Sequence, residues 1–154
     1  MTDELTAAAY ADAIDRARRR LEDFVRRCPD DLWRSAPVPG DPRPVGVIAD
    51  HVAHSYEYLA GWIAEVADGR LVAVNAELVD DLNAGHAAAA GDLTREQVAS
   101  HLRSSGDSLI ALVTGLKSAQ LDLDGGRIRR LATIAARHAD GHLAEFEAGQ
   151  SAAS

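Results

Sequence analysis

The chain has 154 residues and a mass of 16.4 kDa, with 47% apolar and 26% charged residues, a length that suits one compact domain, expected over 1–150 with a frayed tail at 151–154. Thirty alanines against seven aromatics argue for helices and against a β-sandwich or β-barrel, because alanine is the strongest helix former and a poor strand former. Sixteen basic against 24 acidic residues leave a net charge of −8, which denies the chain the positive footprint a nucleic-acid binder needs.

Tyr10, Ile14, Ala17, Leu21, Phe24 and Cys28 recur at alternating steps of four and three, the period of an amphipathic helix, expected over about 4–28. On it, Arg18, Arg19 and Arg20 read as a solvated face and Cys28 as a small buried hydrophobe. All five prolines then fall in one stretch. Proline lacks an amide donor and clashes inside helices, so 29–43 is a connection and Pro44 opens the next helix. Ile48, Val52, Ser55, Leu59, Trp62 and Val66 predict that helix over about 44–67, stopped at Asp68-Gly69. Leu71, Val74, Leu78 and Leu82 predict a short helix ending near Gly85. Asn83 and His86 at its end either roof a site or lie in a solvated loop, the latter being the expectation.

Thr94 and Gln97 form a capping box, flanked by Leu93 and Val98 in the positions of a hydrophobic staple. Val98, Leu102, Ser105, Leu109, Leu112 and Leu116 continue that helix, with His101 on its surface, until Asp124-Gly125-Gly126 breaks the chain. The last helix, about 127–148, carries the seam Ile128, Leu131, Ala135, His138, His142, Phe146. Four long amphipathic helices make an all-α four-helix bundle, with the short extra helix in the connection between helices two and three.

The seam of the last helix holds two histidines where leucine or isoleucine is expected. His138 and His142 lie about 40° apart on the helical wheel, and an i,i+4 pair can present both imidazoles to one ion. His51 faces the apolar side of helix two, which it shares with Ser55, Tyr58 and Trp62. Two core imidazoles on one helix and one on another point to a three-His metal site with an open position, the catalytic rather than the closed structural pattern. The plainer reading is a set of hydrogen-bonded core histidines, each of which needs a polar partner when buried. Glu145, one turn from His142, and Tyr58, two turns from His51, are candidates for orienting the ligands. Their plain alternatives are a solvated carboxylate and a pocket wall. His54 belongs at a boundary, where it is either a substrate-facing acid or base or a bystander. No Glu-x-x-His pair of a di-iron bundle occurs, one cysteine cannot make a cysteine zinc site or an internal disulfide, and no P-loop or dinucleotide fingerprint is present. The N-terminal MTDELTAAAY has no signal-peptide core and no apolar run reaches about 18 residues, so a cytoplasmic protein without a membrane partner is expected.

The segment PVGVIADHVAHSYEYLAGWI at 44–63 resembles the second helix of the DinB/YfiT-like superfamily. HADGH at 138–142 resembles its His-x-x-x-His motif in the last bundle helix, and DDLNAGHAAAAGDLTREQV at 80–98 is similar to its crossover and third-helix start. The resemblance covers nearly the whole chain in helix order and length. It implies a four-helix bundle of non-sequential arrangement, with a long crossover carrying the short extra helix between helices two and three, that binds a divalent metal, often zinc or nickel, through His51, His138 and His142. Some relatives are thiol-dependent transferases or isomerases that use mycothiol or bacillithiol. The mycothiol-dependent maleylpyruvate isomerases add a C-terminal domain that this sequence does not contain. Two readings follow. One is a metal-dependent enzyme of the thiol-dependent transferase, isomerase or hydrolase class, acting on a small molecule or thiol. The other is a non-catalytic bundle stapled by metal, or a dimerisation module in which a bundle face pairs two copies.

Overall fold

The computed structural model describes residues 4–152 and, among them, contains helices and no strands. Four long helices form the bundle: α1 (Ala7–Arg27), α3 (Val45–Ala67), α5 (Arg95–Thr114) and α7 (Leu123–Ala152). α1 and α3 each pack against both α5 and α7, which makes α1 and α3 diagonal partners. The chain order around the bundle is therefore non-sequential, and because α3 and α5 pack with their first halves together, Asp50 against His101, the segment from α3 to α5 has to run back along the bundle. It carries α4 (Ala76–Ala89), while two single-turn helices, α2 (Asp30–Trp33) and α6 (Ser118–Leu121), sit in the other connections. Among the described residues no helix is long and apolar enough to cross a membrane.

Local signals explain most element ends. The Thr6 hydroxyl accepts from Ala9 N at the start of α1, and the α5 capping box forms as expected, with Thr94 and Gln97 exchanging hydrogen bonds of 3.1 and 2.9 Å. Pro44 is the N-cap of α3 rather than its first residue. The proline-rich connection is not featureless, because α2 inside it packs Trp33 directly onto Gly46. A Cβ at Gly46 would lie 2.8 Å from the indole, so only glycine admits this approach. Asp124, Gly125 and Gly126 all take left-handed φ (50°, 63° and 80°), separating the body of α7 from the turn before it. Helical geometry then runs beyond the expected end at 148 to Ala152; the rest of the expected frayed tail, residues 153–154, lies outside the described residues.

The crossover helix departs most from expectation. α4 starts later than Leu71, at an Asn75 cap whose side chain accepts from Leu78 N at 2.8 Å, and it runs through Gly85 and His86. Leu71 is 88% exposed and no residue of α4 is fully buried, so the apolar spacing of 71–82 does not mark a core face. The basic run on α1 also divides. Arg19 and Arg20 are exposed, but Arg18 is buried between α1 and α5, paired with Asp15 at 2.5 Å and Asp107 at 3.1 Å. Ile14, Arg18, Leu21 and Val25 form one stripe at steps of four and three, which turns Arg18 inward. Its aliphatic stem packs there while the guanidinium reaches acids at the rim.

The first half of α3 positions the site. Every residue from Val45 to Ala53 is buried, so Asp50 and His51 lie side by side inside the bundle. A carboxylate and an imidazole in such surroundings must find polar partners.

Candidate metal centre

His51 on α3 and His138 and His142 on α7 come together where these two helices pack. The Nε2 atoms of His51 and His138 are 3.1 Å apart and those of His138 and His142 are 3.0 Å apart. The ligand atoms of all three residues lie within 4.8 Å of one another, a group that could hold a metal ion. The rings meet edge-on rather than stacked, with interplanar angles of 82° for His51 against each of the other two.

The partners of the outer nitrogens fix which nitrogen carries a proton. Ser55 Oγ donates to Val52 O at 2.6 Å, so toward His138 Nδ1, 2.9 Å away, it must accept. His138 is therefore protonated at Nδ1 and presents a lone pair at Nε2. Glu145 Oε2 lies 2.9 Å from His142 Nδ1 and, as a carboxylate, can only accept, so the neutral form of His142 also presents a lone pair at Nε2. Two lone pairs thus face each other at hydrogen-bonding distance with no hydrogen between them. His51 Nδ1 is buried without a partner, so either tautomer of this ring leaves one nitrogen unsatisfied. A cation at the common focus resolves this arrangement. Two imidazole nitrogens each about 2.1 Å from one ion, at angles of about 90–110°, lie about 3.0–3.4 Å apart, which the observed separations approach.

The electrostatics agree with the ligand role. Burial, followed by the neighbouring imidazoles and the Arg43 guanidinium, pushes His51 down to about 3 and His138 down to about 4. Both are neutral at physiological pH, the form in which imidazole binds metal. Ser55 and Glu145 are the kind of outer partner that orients a ligating histidine.

A second polar layer adjoins the triad. Asp50 accepts from His86 Nε2 and from His101 Nδ1, each at 2.7 Å, and His101 Nε2 reaches Glu57 on its other side. Burial alone would raise the Asp50 carboxyl, but the hydrogen bonds from His101 and His86 outweigh it and hold the group well below the usual carboxylate range. The Asp50 hydrogen bond, opposed by desolvation and helped by Glu57, lifts His101 to about 9. His101 is thus not a plain surface residue. Nor does His86 lie in a solvated loop: it is helical, its side chain is 8% exposed, and its ring centroid is 6.0 Å from that of His51. Asn83 is likewise helical, with a buried Oδ1 that has no partner.

Among the other candidates, His54 takes the boundary position, 5.2 Å from His86 by ring centroids and stacked on it. Tyr58 packs on Trp62 and meets His54 edge-on. Burial raises its hydroxyl pKa, so Tyr58 forms part of the wall beside the second layer. Cys28 is buried and its thiol is pushed up to about 11 by burial, consistent with an inert hydrophobe. Asp50 is the functional residue that spacing overlooks. The available signal was its place in VGVIADHVA, where apolar or small residues point to every side.

A family model described as the DinB superfamily matches residues 13–146, a span that contains all three histidines. No curated protein and no solved structure matches the chain.

Proposed function

We propose that this chain, which belongs to the DinB superfamily, is a metal-dependent enzyme that holds one divalent ion, zinc or nickel, on His51, His138 and His142 and acts on a small molecule, with a low-molecular-weight thiol as co-substrate. The observation that carries this reading is the convergence of the Nε2 atoms of His51, His138 and His142, with Ser55 and Glu145 at the outer nitrogens of two of the rings. Neutral rings held this way turn their lone pairs toward one point, where a Lewis acid fits.

Three protein ligands leave coordination positions for an exogenous group, and an ion held there supplies Lewis acidity that lowers the pKa of a thiol or water toward neutrality. The chain's own residues do the rest. Ser55 and Glu145 hold the rings in one tautomer, the buried face of α3 keeps water from His51, and the groove beside His138 and His142 admits the reactant. The bundle core closes around Ile14, Leu21, Ile48, Leu102 and Leu109 without help from the centre, which favours this reading over a metal staple.

The test is consumption of a low-molecular-weight thiol by metal-loaded protein in the presence of an electrophilic acceptor. Consumption that needs both the metal and His142 supports the enzymatic reading. Rates equal to the protein-free background across zinc- and nickel-loaded forms contradict it.

A further inference from the structure

His138 and His142 meet solvent through a groove of about 430 Å³ on the α7 face, lined also by Ile134, Arg137, Gly141 and Glu145. Its chemistry is mixed. Ile134 is 52% exposed and offers an apolar wall. Gly141, one turn beyond Arg137, leaves the floor open, since a Cβ there would meet nothing within 4 Å. Glu145, the acid of the groove, is engaged by His142.

Arg137 stands out against the rest of the chain. Fifteen of the sixteen basic residues are arginines, and thirteen of these engage a carboxylate or carbonyl through their guanidinium. Among the described residues only Arg34 and Arg137 have no such partner, in a protein with 24 acids to supply one. Arg34 lies in a separate cleft. Arg137 lines the groove that reaches His138 and His142. A guanidinium presents a planar fork of donors that matches a carboxylate bidentately.

We propose that Arg137 binds the carboxylate of the molecule brought to the metal centre, so that the ligand of this site is a small carboxylic acid. Its carbon chain lies along Ile134 and over Gly141, and its reacting group faces His138 and His142. This rests on the reading of the triad as a metal centre. Arg137 sets specificity and is not a ligand of the ion.

The experiment uses the full chain loaded with Co²⁺, whose visible bands report ligand binding directly and without turnover. It compares 3-mercaptopropionate with 3-mercaptopropanol, a probe of equal length that lacks the carboxylate. The acid is expected to bind about tenfold more tightly than the alcohol, equivalent to one charge-assisted contact of ordinary strength. In Arg137→Gln that preference disappears while affinity for the alcohol stays unchanged, and Arg137→Lys restores part of it. Gly141→Leu, a substitution that favours the helix, is expected to weaken binding of the acid by filling the groove floor while the cobalt bands of the free protein persist. Equal affinity for both probes in the wild type, or a preference that survives Arg137→Gln, overturns the proposal and leaves the metal centre standing. Wild-type protein that takes up no Co²⁺ overturns the metal reading and the carboxylate proposal together.

Discussion

His138 and His142 turn their Nε2 atoms toward each other at 3.0 Å. Ser55 accepts from His138 Nδ1 and Glu145 from His142 Nδ1, each at 2.9 Å on the far side of the ring. The focus of the three imidazoles could hold a metal ion, and Ser55 and Glu145 orient two of the rings from outside it.

Removing those outer partners should loosen the ion while sparing the fold. Ser55→Ala leaves the His138 Nδ1–H without an acceptor, and Glu145→Gln withdraws the negative charge from His142. Each is expected to weaken metal affinity by about 10- to 100-fold, with Glu145→Gln at the lower end because that carboxylate is partly exposed. Competition against a chromophoric chelator measures this, and unchanged affinity in both variants would show that neither residue orients a ligand.

Asp50 joins α3 to α4 through His86 and to α5 through His101. Asp50→Leu leaves a buried His86 without its carboxylate and should cost about 3 kcal/mol of stability, the lower end for breaking a buried pair. Because the His86 side chain is the part of α4 that Asp50 holds against α3, α4 should also become the first segment cut by a protease. Urea midpoints and limited proteolysis report the two effects separately.

His101 predicts an alkaline transition. Its folded pKa of about 9 lies above the unfolded value of 6.5, so its contribution is full below pH 6.5 and is lost as pH rises through 9. Between these limits the wild type should lose stability relative to His101→Gln. Parallel melting curves for the two proteins from pH 6.5 to 9.5 would contradict the ion-pair assignment.

Metal removal should leave a folded bundle. A tightly bound ion raises stability by mass action alone, about 4 kcal/mol at a thousandfold excess over Kd. For a chain of this size that corresponds to a fall in Tm of about 10 °C on adding chelator. Helical content at room temperature should not change, because the apolar seams are complete without the ion. Loss of circular dichroism on chelation at room temperature would favour a stapling role.

The bundle and its three central histidines were legible in the sequence for a shared reason. Each long helix repeats an apolar residue at steps of three and four, so His138 and His142 stand out as interruptions of a seam. Glu145 was reachable from its place one turn beyond His142. Contacts that close over long separations were not legible. His86 and His101 find Asp50 from 36 and 51 residues away, and periodicity within a helix says nothing about which polar groups meet across helices. Arg18 misled because a run of three arginines looks solvated, while the stripe through Ile14, Leu21 and Val25 turns one of them inward. The crossover misled because Leu71 and Val74 continue an apolar spacing across the point where Asn75 starts the helix.

The most direct test of the account is X-ray absorption at the zinc edge on zinc-loaded protein, together with elemental analysis of wild type and His138→Ala. The account predicts one ion per chain with about three imidazole nitrogens at about 2.0–2.1 Å, and loss of most of the metal in the variant. Full metal retention in His138→Ala, or a coordination shell without imidazole, would contradict it.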